Sequence, residues 1–434
     1  MTKLAFYNYI LVKIAWLIHY VTKYKYILLM IWSVGLCNNS YSQIIFDRNA
    51  VLDKIKVYAD YASRILVDES GRSRCNYDIF NCEWLPYEVP WHTGQLINAL
   101  VEAYKVTRNM EYLHRATFCA NWWVTLEIKN HPLLNGMLRG IHGGDVDKRL
   151  IVFATISDGT PGLYNLSRAL NDSRYAKVAT KAARWMLNNM YEPSKGGCYD
   201  NVDEITGKVI RNTADFDGNI YYTYRPNTEG YLFKDAYDFS GDSCFRKAYL
   251  VLCDSLISSQ NPDGLWMQFK PNDLATGYFH PRYNLWNAES LIEAYEMTGD
   301  AKYLEAATKT ARLYSRYQDQ SGAMFYKANL NGDVDRSTIC SSEAAFAGLI
   351  WMRLSSYGHH EFQINYERTL HWLVKASFNI NHHDPNLQGA AIEIKTSLKN
   401  GKTQIINRDL GTIFAIRFLT KYYQMFYNIE DCNE

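Results

Sequence analysis

Apolar residues recur at helical spacing along most of the chain, and the helical segments fall into pairs. The periodicity predicts helices at 48–67, 94–106 and 111–127, 161–170 and 175–191, 229–239 and 243–260, 287–297 and 301–318, 341–355 and 362–377, and 408–426. Alternate segments are apolar on most faces, whereas their partners carry charges on one side, such as Lys302 and Glu305. We therefore expect six buried inner helices and six solvated outer helices.

A short signature recurs at the turns inside these pairs. Residues 297–303 read Met-Thr-Gly-Asp-Ala-Lys-Tyr, and residues 106–112, 169–175 and 239–245 are similar. Glycine or Asn tolerates the left-handed backbone that ends a helix, and Asp or Asn accepts hydrogen bonds from the first amides of the next helix. The repeated hairpin predicts one large helical domain, despite the length of 434 residues.

The connections from each outer helix to the next inner helix are longer than the turns inside the pairs. Many contain a glycine followed by a short extended segment, at Gly71, Gly136, Gly196, Gly264, Gly322 and Gly389. This pattern predicts short β-hairpins. Because long ordered connections usually carry function, we expect the functional site at the end of the ring where they emerge.

Six helical hairpins with short turns at one end and glycine-led β segments at the other resemble the six-hairpin glycosidase-like superfamily of carbohydrate-active enzymes. The resemblance covers nearly all of residues 48–426 and lies in the repeat rhythm. It implies an all-α (α/α)6 toroid with short β-hairpins in the long connections, and an active site at the long-connection end. Members include unsaturated glucuronyl hydrolases, polysaccharide lyases and glucuronyl C5-epimerases, and no motif selects one family.

The N-terminus has the pattern of a targeting segment. Lys23 and Lys25 precede an apolar run at 26–36, and the small residues Ser40 and Ser42 follow. We predict an export signal at 1–42, a single catalytic domain at 43–434, and a periplasmic or extracellular protein. An uncleaved membrane anchor is the alternative, because residues 4–36 are together long enough to span a bilayer.

Composition narrows the classes of partner. A formal charge of +1 gives no reason to expect a nucleic acid. The 34 Tyr, 18 Phe and 11 Trp suit an oligosaccharide or polysaccharide cleft, although aromatic rings also fill cores. Cys75 and Cys82 are spaced to close a loop, but the cysteines lack zinc spacing and no phosphate-binding glycine loop is present. We therefore expect neither a metal nor a cofactor.

Two successive connections concentrate polar and aromatic residues just before inner helices. The connection at 211–230 carries acidic residues, a tyrosine and an arginine, namely Asp215, Asp217, Tyr224, Arg225 and Glu229. The next connection and the helix start after it supply His280, Arg282, Tyr283, Trp286, Asn287 and Glu289. Earlier in the chain, Trp91 and His92 stand near the first inner helix, and His142 lies in a glycine-rich loop. We assign these residues to catalysis or substrate binding.

Glycoside hydrolysis requires one carboxyl group that protonates the leaving oxygen and a second that activates water or attacks carbon. The candidates at or before inner-helix starts are Asp158, Asp217, Glu229, Glu289 and Glu343. We favour Asp217 with Glu229 as the pair and also place Glu343 among the substrate-binding residues. The alternative for each is a structural role as a helix cap or in an ion pair, such as one with Arg225.

Elimination or C5 epimerisation requires a base and a cation beside the uronate carboxylate. Tyr224 or His280 would be the base, and Arg225 or Arg282 the cation. Cytosolic 2-epimerases of amino sugars share the helical ring and use histidines, and His92, His142 and His280 keep that alternative open. The export signal argues against it.

The sequence thus predicts an exported glycoside hydrolase that acts on a glycan containing uronic acid, with its carboxyl pair at the inner-helix N-termini. A polysaccharide lyase or glucuronyl C5-epimerase is the first alternative. A non-catalytic glycan-binding protein is the second.

Overall fold

The computed structural model describes residues 46–399 and 402–427. Its helices in chain order are α1 (Arg48–Tyr61), α2 (Val89–Thr107), α3 (Met110–Val124), α4 (Phe153–Ser157), α5 (Pro161–Leu170), α6 (Arg174–Asn189), α7 (Leu232–Ser240), α8 (Ser243–Ser259), α9 (Tyr283–Thr298), α10 (Ala301–Tyr317), α11 (Ser341–Ser356), α12 (Gln363–Lys375) and α13 (Asp409–Tyr427). The inner helices are α2, α5, α7, α9, α11 and α13. Within the described residues, the predicted inner and outer helices are all present.

The turns inside the hairpins have the predicted capping chemistry. Gly299 ends α9 with φ 72°, and the Asp300 side chain accepts a hydrogen bond from the backbone N–H of Lys302 at 3.1 Å. Gly241 and Asp242 do the same between α7 and α8. In the turn after α2, Arg108 rather than an Asn or Gly takes the left-handed conformation, with φ 58°. The signature therefore marks the short-turn end of the ring.

Three inner helices begin at residues that differ from those that periodicity predicts, whereas α5 and α11 begin as predicted, at Pro161 and Ser341. Helix α2 begins at Val89 instead of residue 94, and α9 begins at Tyr283 instead of residue 287. Helix α7 begins only at Leu232, because Gly230 and Tyr231 are left-handed with φ 66° and 44°. These shifts place the residues around 88, 229 and 283 directly at the long-connection end of the ring.

The strands all lie in the long connections. In chain order they are β1 (Asn76–Asp78), β2 (Glu83–Leu85), β3 (Leu150–Val152), β4 (Tyr191–Glu192), β5 (Gly197–Tyr199), β6 (Asn201–Asp203), β7 (Tyr224–Arg225), β8 (Tyr278–Phe279), β9 (Ala328–Asn329), β10 (Ile394–Lys399) and β11 (Lys402–Arg408). The largest sheet has the order β10-β11-β1-β2 and joins the first connection to the last. Its β10–β11 hairpin is longer than the short segments that the sequence predicts.

The ring closes where the last inner helix meets the first. Helix α13 packs against both α2 and α11, and it also contacts α1. Arg48 of α1 donates a hydrogen bond to the Tyr423 hydroxyl of α13 at 2.7 Å. On its other side, α2 packs against α5. Together with the helical hairpins, this closure makes the described chain an (α/α)6 toroid with short β-hairpins in the long connections.

Some sequence predictions fall outside this description. The export segment at 1–42 lies outside the described residues. Among the residues that are described, no helix has the length and apolar character needed to cross a bilayer. Cys75 and Cys82 are free thiols, the first buried and the second exposed, so they do not form the disulfide considered from the sequence.

Candidate active site

A cavity of about 660 Å³ lies among the N-terminal ends of the inner helices. Trp91 of α2, Asp158 before α5, Glu229 before α7 and Trp286 of α9 all line it. The β10–β11 hairpin adds a further wall. Helix N-termini carry unpaired amides and a partial positive charge, so this end of the ring favours anionic groups.

Asp158 and Glu229 line the same cavity, and the backbone segments that carry them touch. Gly230 follows Glu229, and a Cβ atom built on it would lie 2.0 Å from the Ser157 carbonyl oxygen and 2.7 Å from the Asp158 Cα. Only glycine fits that approach, and its φ of 66° is also one that glycine adopts at little cost. The contact therefore brings the acids of two successive inner helices together.

Asp158 has the electrostatic character of a proton donor. Burial raises the pKa of its carboxyl well above the ordinary value, and the neighbouring negative charge of Glu229 raises it further. Its Oδ1 atom is buried without a hydrogen-bond partner among the described residues. A carboxyl group with a raised pKa keeps its proton to higher pH than an ordinary carboxyl does, as a general acid requires.

Glu229 is instead paired with a buried cation. The Arg225 guanidinium contacts Glu229 through Nη1 and donates from Nε to Asp200 at 2.9 Å. Asn227 donates to the other oxygen of Asp200 at 2.6 Å, which fixes that partner in turn. Arg225 is 0% exposed and always charged, so this ion pair is buried. Asp158, with an unpartnered carboxyl oxygen, and Glu229, with an arginine partner, therefore line one cavity in different surroundings.

His142 and Glu88 form a second ionisable pair at the cavity wall. The Nδ1 atom of His142 lies 3.1 Å from Glu88 Oε1 and 3.1 Å from the Gly143 carbonyl oxygen. Both neighbours are acceptors, so the hydrogen-bond pattern assigns the proton to Nδ1 and leaves Nε2 as a base in the neutral ring. Tyr221 packs on the imidazole with ring centroids 3.9 Å apart and orients it.

His280 has the opposite tautomer. Its Nδ1 atom accepts hydrogen bonds from the backbone N–H groups of Arg282 at 3.2 Å and Tyr283 at 3.1 Å, so the proton of the neutral ring lies on Nε2. Burial lowers the pKa of His280 well below its ordinary value, and the Arg282 charge lowers it further. His280 is thus a neutral hydrogen-bond donor, which does not suit the base role that the sequence predicts for it.

Three cations line the side of the cavity formed by the last connection and α9. The cations are Arg282, which directly precedes α9, and Lys395 and Arg408 of the β10–β11 hairpin. Glu393 lies on the same face of the hairpin as Lys395 and Arg408. Arg282 Nη1 donates to Ser342 Oγ at 2.7 Å and lies 3.7 Å from Glu393. No carboxylate within 4.0 Å pairs with Lys395 or Arg408 among the described residues. This wall therefore has an excess of positive charge.

Aromatic side chains complete the cavity. Trp91 donates through its indole N–H to Glu88 at 2.5 Å. Trp286 packs edge-on against Phe346 with ring centroids 4.6 Å apart. The Trp286 side chain therefore lines the cavity and also contacts the hydrophobic core. The Tyr283 hydroxyl is buried without a partner among the described residues, and burial raises its pKa to about 12. Rings of this kind can stack on the apolar faces of a sugar.

Four residues of the 211–230 connection lie elsewhere. The Asp217 side chain is 83% exposed and pairs with Arg149 at 2.7 Å, so it does not join Glu229 in the cavity. Asp215 is exposed and caps its own turn by accepting from the Asn212 backbone at 3.1 Å. Tyr224 lies on β7 beside Tyr199, outside the cavity. Arg225 is buried behind Glu229 and cannot bind a substrate carboxylate directly.

Four further candidates are buried in the ring rather than in the cavity wall. His92 is 0% exposed and contacts Asp409 and Arg408. Asn287 and Glu343 are buried with unpartnered polar atoms, among the described residues, and do not line the cavity. Glu289 lines a different cavity and pairs with Arg417 at 3.4 Å. The Glu343 pKa is well above its ordinary value because the group is buried.

One group of side chains has the spacing of metal ligands. In the described part of the chain, ligand atoms of Cys75, His92 and Asp409 lie within 4.8 Å of one another. Both ring nitrogens of His92 are already engaged, because Nδ1 is 2.7 Å from Asp409 and Nε2 is 3.3 Å from the Arg408 guanidinium. Hydrogen bonds account for the group, and we assign no metal to it.

Sequence reasoning missed several residues that line the cavity. Glu88 immediately precedes α2 in a left-handed conformation, and an acidic residue before an inner helix was an available signal. Tyr221 lies in the 211–230 connection but is not among the residues that the sequence analysis selects from it. Lys395 and Arg408 belong to the last hairpin, whose position beside α2 depends on pairing between Asn76 and Arg408. No local pattern reveals that pairing.

The fold can be compared with known proteins. No protein-family model and no curated protein sequence matches the chain. Among solved structures, cellobiose 2-epimerase from Bacillus thermoamylovorans matches with a TM-score of 0.64 and 12% identity, over 87% of this chain and 100% of that one. An unsaturated glucuronyl hydrolase specific for heparin matches with 0.64 and 13%, over 88% and 99%.

A D-mannose isomerase also matches, with a TM-score of 0.60 and 14% identity, over 87% of this chain and 99% of that one. These three enzymes catalyse different reactions on carbohydrates, and their low identity to this chain shows a common fold alone. Their nearly complete coverage agrees with the closed helical ring described above. The chain therefore has the (α/α)6-toroid fold that these enzymes share.

Proposed function

We propose that this protein is a carbohydrate-active enzyme that hydrolyses a glycosidic bond in the 660 Å³ cavity. The observation that carries the proposal is the meeting of Asp158 and Glu229, which the Gly230 contact enforces. Asp158 protonates the leaving oxygen, and Glu229 acts as the carboxylate that activates water or attacks carbon. The pair differs from the one predicted from sequence, because Asp158 takes the place of Asp217.

The cationic wall supports an acidic glycan as the substrate. Arg282, Lys395 and Arg408 line one cavity, and of these three only Arg282 pairs with a carboxylate, Glu393, in the described structure. A carboxylate on the sugar would supply the missing negative charge and could accept two parallel hydrogen bonds from an arginine. A uronic acid has this group. Of the two arginines predicted to bind it, Arg282 lines the cavity, which supports the proposal, and Arg225 does not line it.

A second candidate, sugar epimerisation or isomerisation, is favoured by the two histidines. His142 offers an unprotonated Nε2 and His280 offers an Nε2–H, and both rings line the same cavity. Proton removal from the carbon beside a carbonyl needs such a base, and a neutral donor can stabilise the enolate oxygen that forms. Elimination by Tyr224 or His280 has less support, because neither is a base in the cavity.

Isotope labels distinguish these reactions. The purified protein is incubated with uronate-containing and neutral oligosaccharides in water enriched in deuterium and oxygen-18, and the products are analysed by mass spectrometry. Hydrolysis gives shorter products with oxygen-18 at the new hemiacetal. Epimerisation leaves the length unchanged and introduces carbon-bound deuterium, whereas elimination gives fragments whose masses sum to that of the substrate. Carbon-bound deuterium without cleavage would overturn the hydrolase proposal in favour of the second candidate.

We also propose that the protein is exported, as the 1–42 segment predicts. The apolar run after Lys23 and Lys25 supports this proposal. Fractionation of the producing cells, followed by N-terminal sequencing, tests it. A cytoplasmic protein that retains residues 1–42 would contradict it and would remove the main sequence argument against 2-epimerisation.

A further inference from the structure

A second cavity of about 320 Å³ lies at the short-turn end of the ring. Glu289, Arg353 and Arg417 are among the charged side chains that line it. It is close to the first cavity, because Trp286 lines one and Glu289 the other, and three residues of helix rise by about 4.5 Å. Asp158 lines the first cavity, and Pro161, three residues later in the chain, lines the second. The floor between the cavities is about one helical turn thick.

A chain of hydrogen bonds crosses this floor. Arg417 Nη2 lies 3.4 Å from Glu289 Oε1, and Arg417 Nη1 donates to Gln95 Oε1 at 3.0 Å. Gln95 Nε2 then donates to the backbone carbonyl of Asp158. The two contacts of Gln95 agree on its orientation, because the oxygen faces a guanidinium and the nitrogen faces a carbonyl. A flipped amide would lose both bonds.

The members of this chain are held rigidly. Gln95 is 1% exposed, and a Cβ on the adjacent Gly94 would come within 2.3 Å of the Gly159 carbonyl oxygen, so α2 and the Asp158 turn are in backbone contact. The Arg417 guanidinium lies 4.9 Å from the Phe414 ring centroid and 5.9 Å from that of Trp286. Stacking on these rings restricts the movement of the side chain.

We propose that Gln95, Arg417 and Glu289 are positioning residues that fix the Asp158 carboxyl from the opposite side of the ring. The proposal rests on the proposed role of Asp158 as the general acid. It gives Glu289, predicted from sequence as a catalytic carboxylate, an indirect role in place of a direct one. It also implies that the short-turn end of the ring influences the chemistry at the other end.

Several charged groups shift the Asp158 pKa, and one of them, Glu289, belongs to the network. Glu229 raises the Asp158 pKa most strongly after burial, Arg225 opposes it, and Glu88 and Glu289 raise it. Glu289→Gln removes one of the groups that raise the pKa without removing the side chain. We therefore expect this variant to titrate Asp158 at lower pH than the parent protein does.

The kinetic test compares Gln95→Leu, Glu289→Gln and Glu296→Gln on whichever oligosaccharide the isotope experiment shows to be cleaved. Gln95→Leu should lower kcat roughly 10-fold to 100-fold with KM changed less than about 2-fold, because a misplaced acid affects the chemical step. Glu289→Gln should move the alkaline limb of the kcat profile to lower pH. Glu296→Gln is the matched control, since Glu296 lines the same cavity on the same helix but pairs with Arg353 at 2.7 Å.

A second measurement needs no turnover. The carbon-13 signal of the Asp158 carboxyl, identified by its loss in Asp158→Asn, is titrated in the full-length protein and in each variant. A shift to lower pH in Glu289→Gln but not in Glu296→Gln supports the network, even if Asp158→Asn proves active and the hydrolase proposal fails. Identical Asp158 titrations in both variants, together with parental kcat in folded Gln95→Leu, would overturn the network. If Gln95→Leu does not fold, the Asp158 titrations of Glu289→Gln and Glu296→Gln test the network without it.

Discussion

Burial separates two aspartates that look alike in sequence. Asp158 and Asp217 both precede an inner helix, yet Asp158 is 7% exposed in the cavity whereas the Asp217 side chain is 83% exposed and paired with Arg149. The Arg149 hydrogen bond lowers the pKa of Asp217, and burial raises that of Asp158. Only the second effect favours the protonated form that a general acid needs.

Asp158→Asn should abolish most of the catalysis while leaving the fold intact. The amide has nearly the shape of the carboxylic acid but cannot transfer a proton, so kcat should fall about 100-fold to 10,000-fold. Steady-state kinetics on the cleaved oligosaccharide measure this loss. Asp217→Asn is the matched control and should retain parental kcat. Equal losses in the two variants would contradict the assignment of Asp158.

Binding of an anionic ligand should weaken above about pH 8. Burial, with the positive charges of Arg408 and Arg282, lowers the pKa of Lys395 to about 8, so its ammonium group loses its proton as the pH rises through that value. Glucuronate affinity measured calorimetrically between pH 6.5 and 9.5 should therefore fall across this point. Lys395→Arg keeps the charge at every such pH and should flatten the profile. A parental profile that does not change above pH 8 would count against the cationic wall.

For single residues, the sequence indicates which side chains have the right chemistry for a site, but it does not predict their burial or their contacts. The structure places Glu229, His142, His280, Arg282 and Trp91 in one cavity, and sequence reasoning had selected each of them. It could not predict that Arg225 is buried behind Glu229, since that depends on Asp200, 25 residues away in the chain. The sequence analysis favours Asp217 over Asp158, and the structure favours Asp158 because Asp217 is exposed. Helical periodicity does not predict the exposure of a residue in a connection.

At the scale of elements, glycines determine how closely the inner helices approach. Gly94, Gly159 and Gly230 bring three successive inner-helix starts into backbone contact. The helices themselves could be predicted from apolar spacing, because each buries a face along several turns. The contact of Gly230 with Ser157 could not, because it joins residues more than seventy positions apart.

Gly230→Ala should damage both stability and activity. The added methyl group meets the Ser157 carbonyl at 2.0 Å, so the starts of α5 and α7 must separate and the two carboxyl groups must move apart. We expect a loss of roughly 2–4 kcal/mol of unfolding free energy and a large fall in kcat. Denaturant unfolding and kinetics measure the two effects.

Gly299→Ala is the control for backbone strain. Gly299 has a similar φ of 72°, and a Cβ there meets nothing within 4 Å. We expect it to lose only about 1 kcal/mol and to keep parental kcat. If Gly230→Ala behaved like this control, the close approach would have no functional importance.

The β10–β11 hairpin shows a different limit of sequence reading. Asn400 and Gly401 are a strong turn signal between two extended segments, so the hairpin itself was detectable. Its place in the fold was not, because β11 pairs with β1 at the opposite end of the chain. That pairing brings Lys395 and Arg408 to the cavity.

For the whole molecule, one buried acid should link stability to pH. Asp235 lies in the short-turn cavity, where burial raises its pKa to about 7. The folded state binds this proton more tightly than the unfolded state, so the stabilisation is complete at low pH and is lost as pH rises from about 4 to about 7. Asp235→Asn removes this dependence.

We expect unfolding free energy in the parent protein to fall by roughly 2–3 kcal/mol more than in Asp235→Asn between pH 5 and pH 7. Urea unfolding at both pH values measures the difference. Asp238→Asn, one turn further along α7, is the control and should follow the parent. Parallel curves for the parent and Asp235→Asn would show that Asp235 titrates alike in both states.

Closure of the ring by α13 has a consequence for biosynthesis. The acidic residues at 88, 158 and 229 leave the ribosome well before Lys395 and Arg408, so the side of the cavity that carries the carboxyl groups is made first. Until α13 arrives, α2 lacks its last neighbour and β1 lacks the strand that pairs with Asn76 to Asp78. A nascent chain that stalls before residue 402 therefore presents an apolar helix face beside an open strand edge, the combination that promotes aggregation.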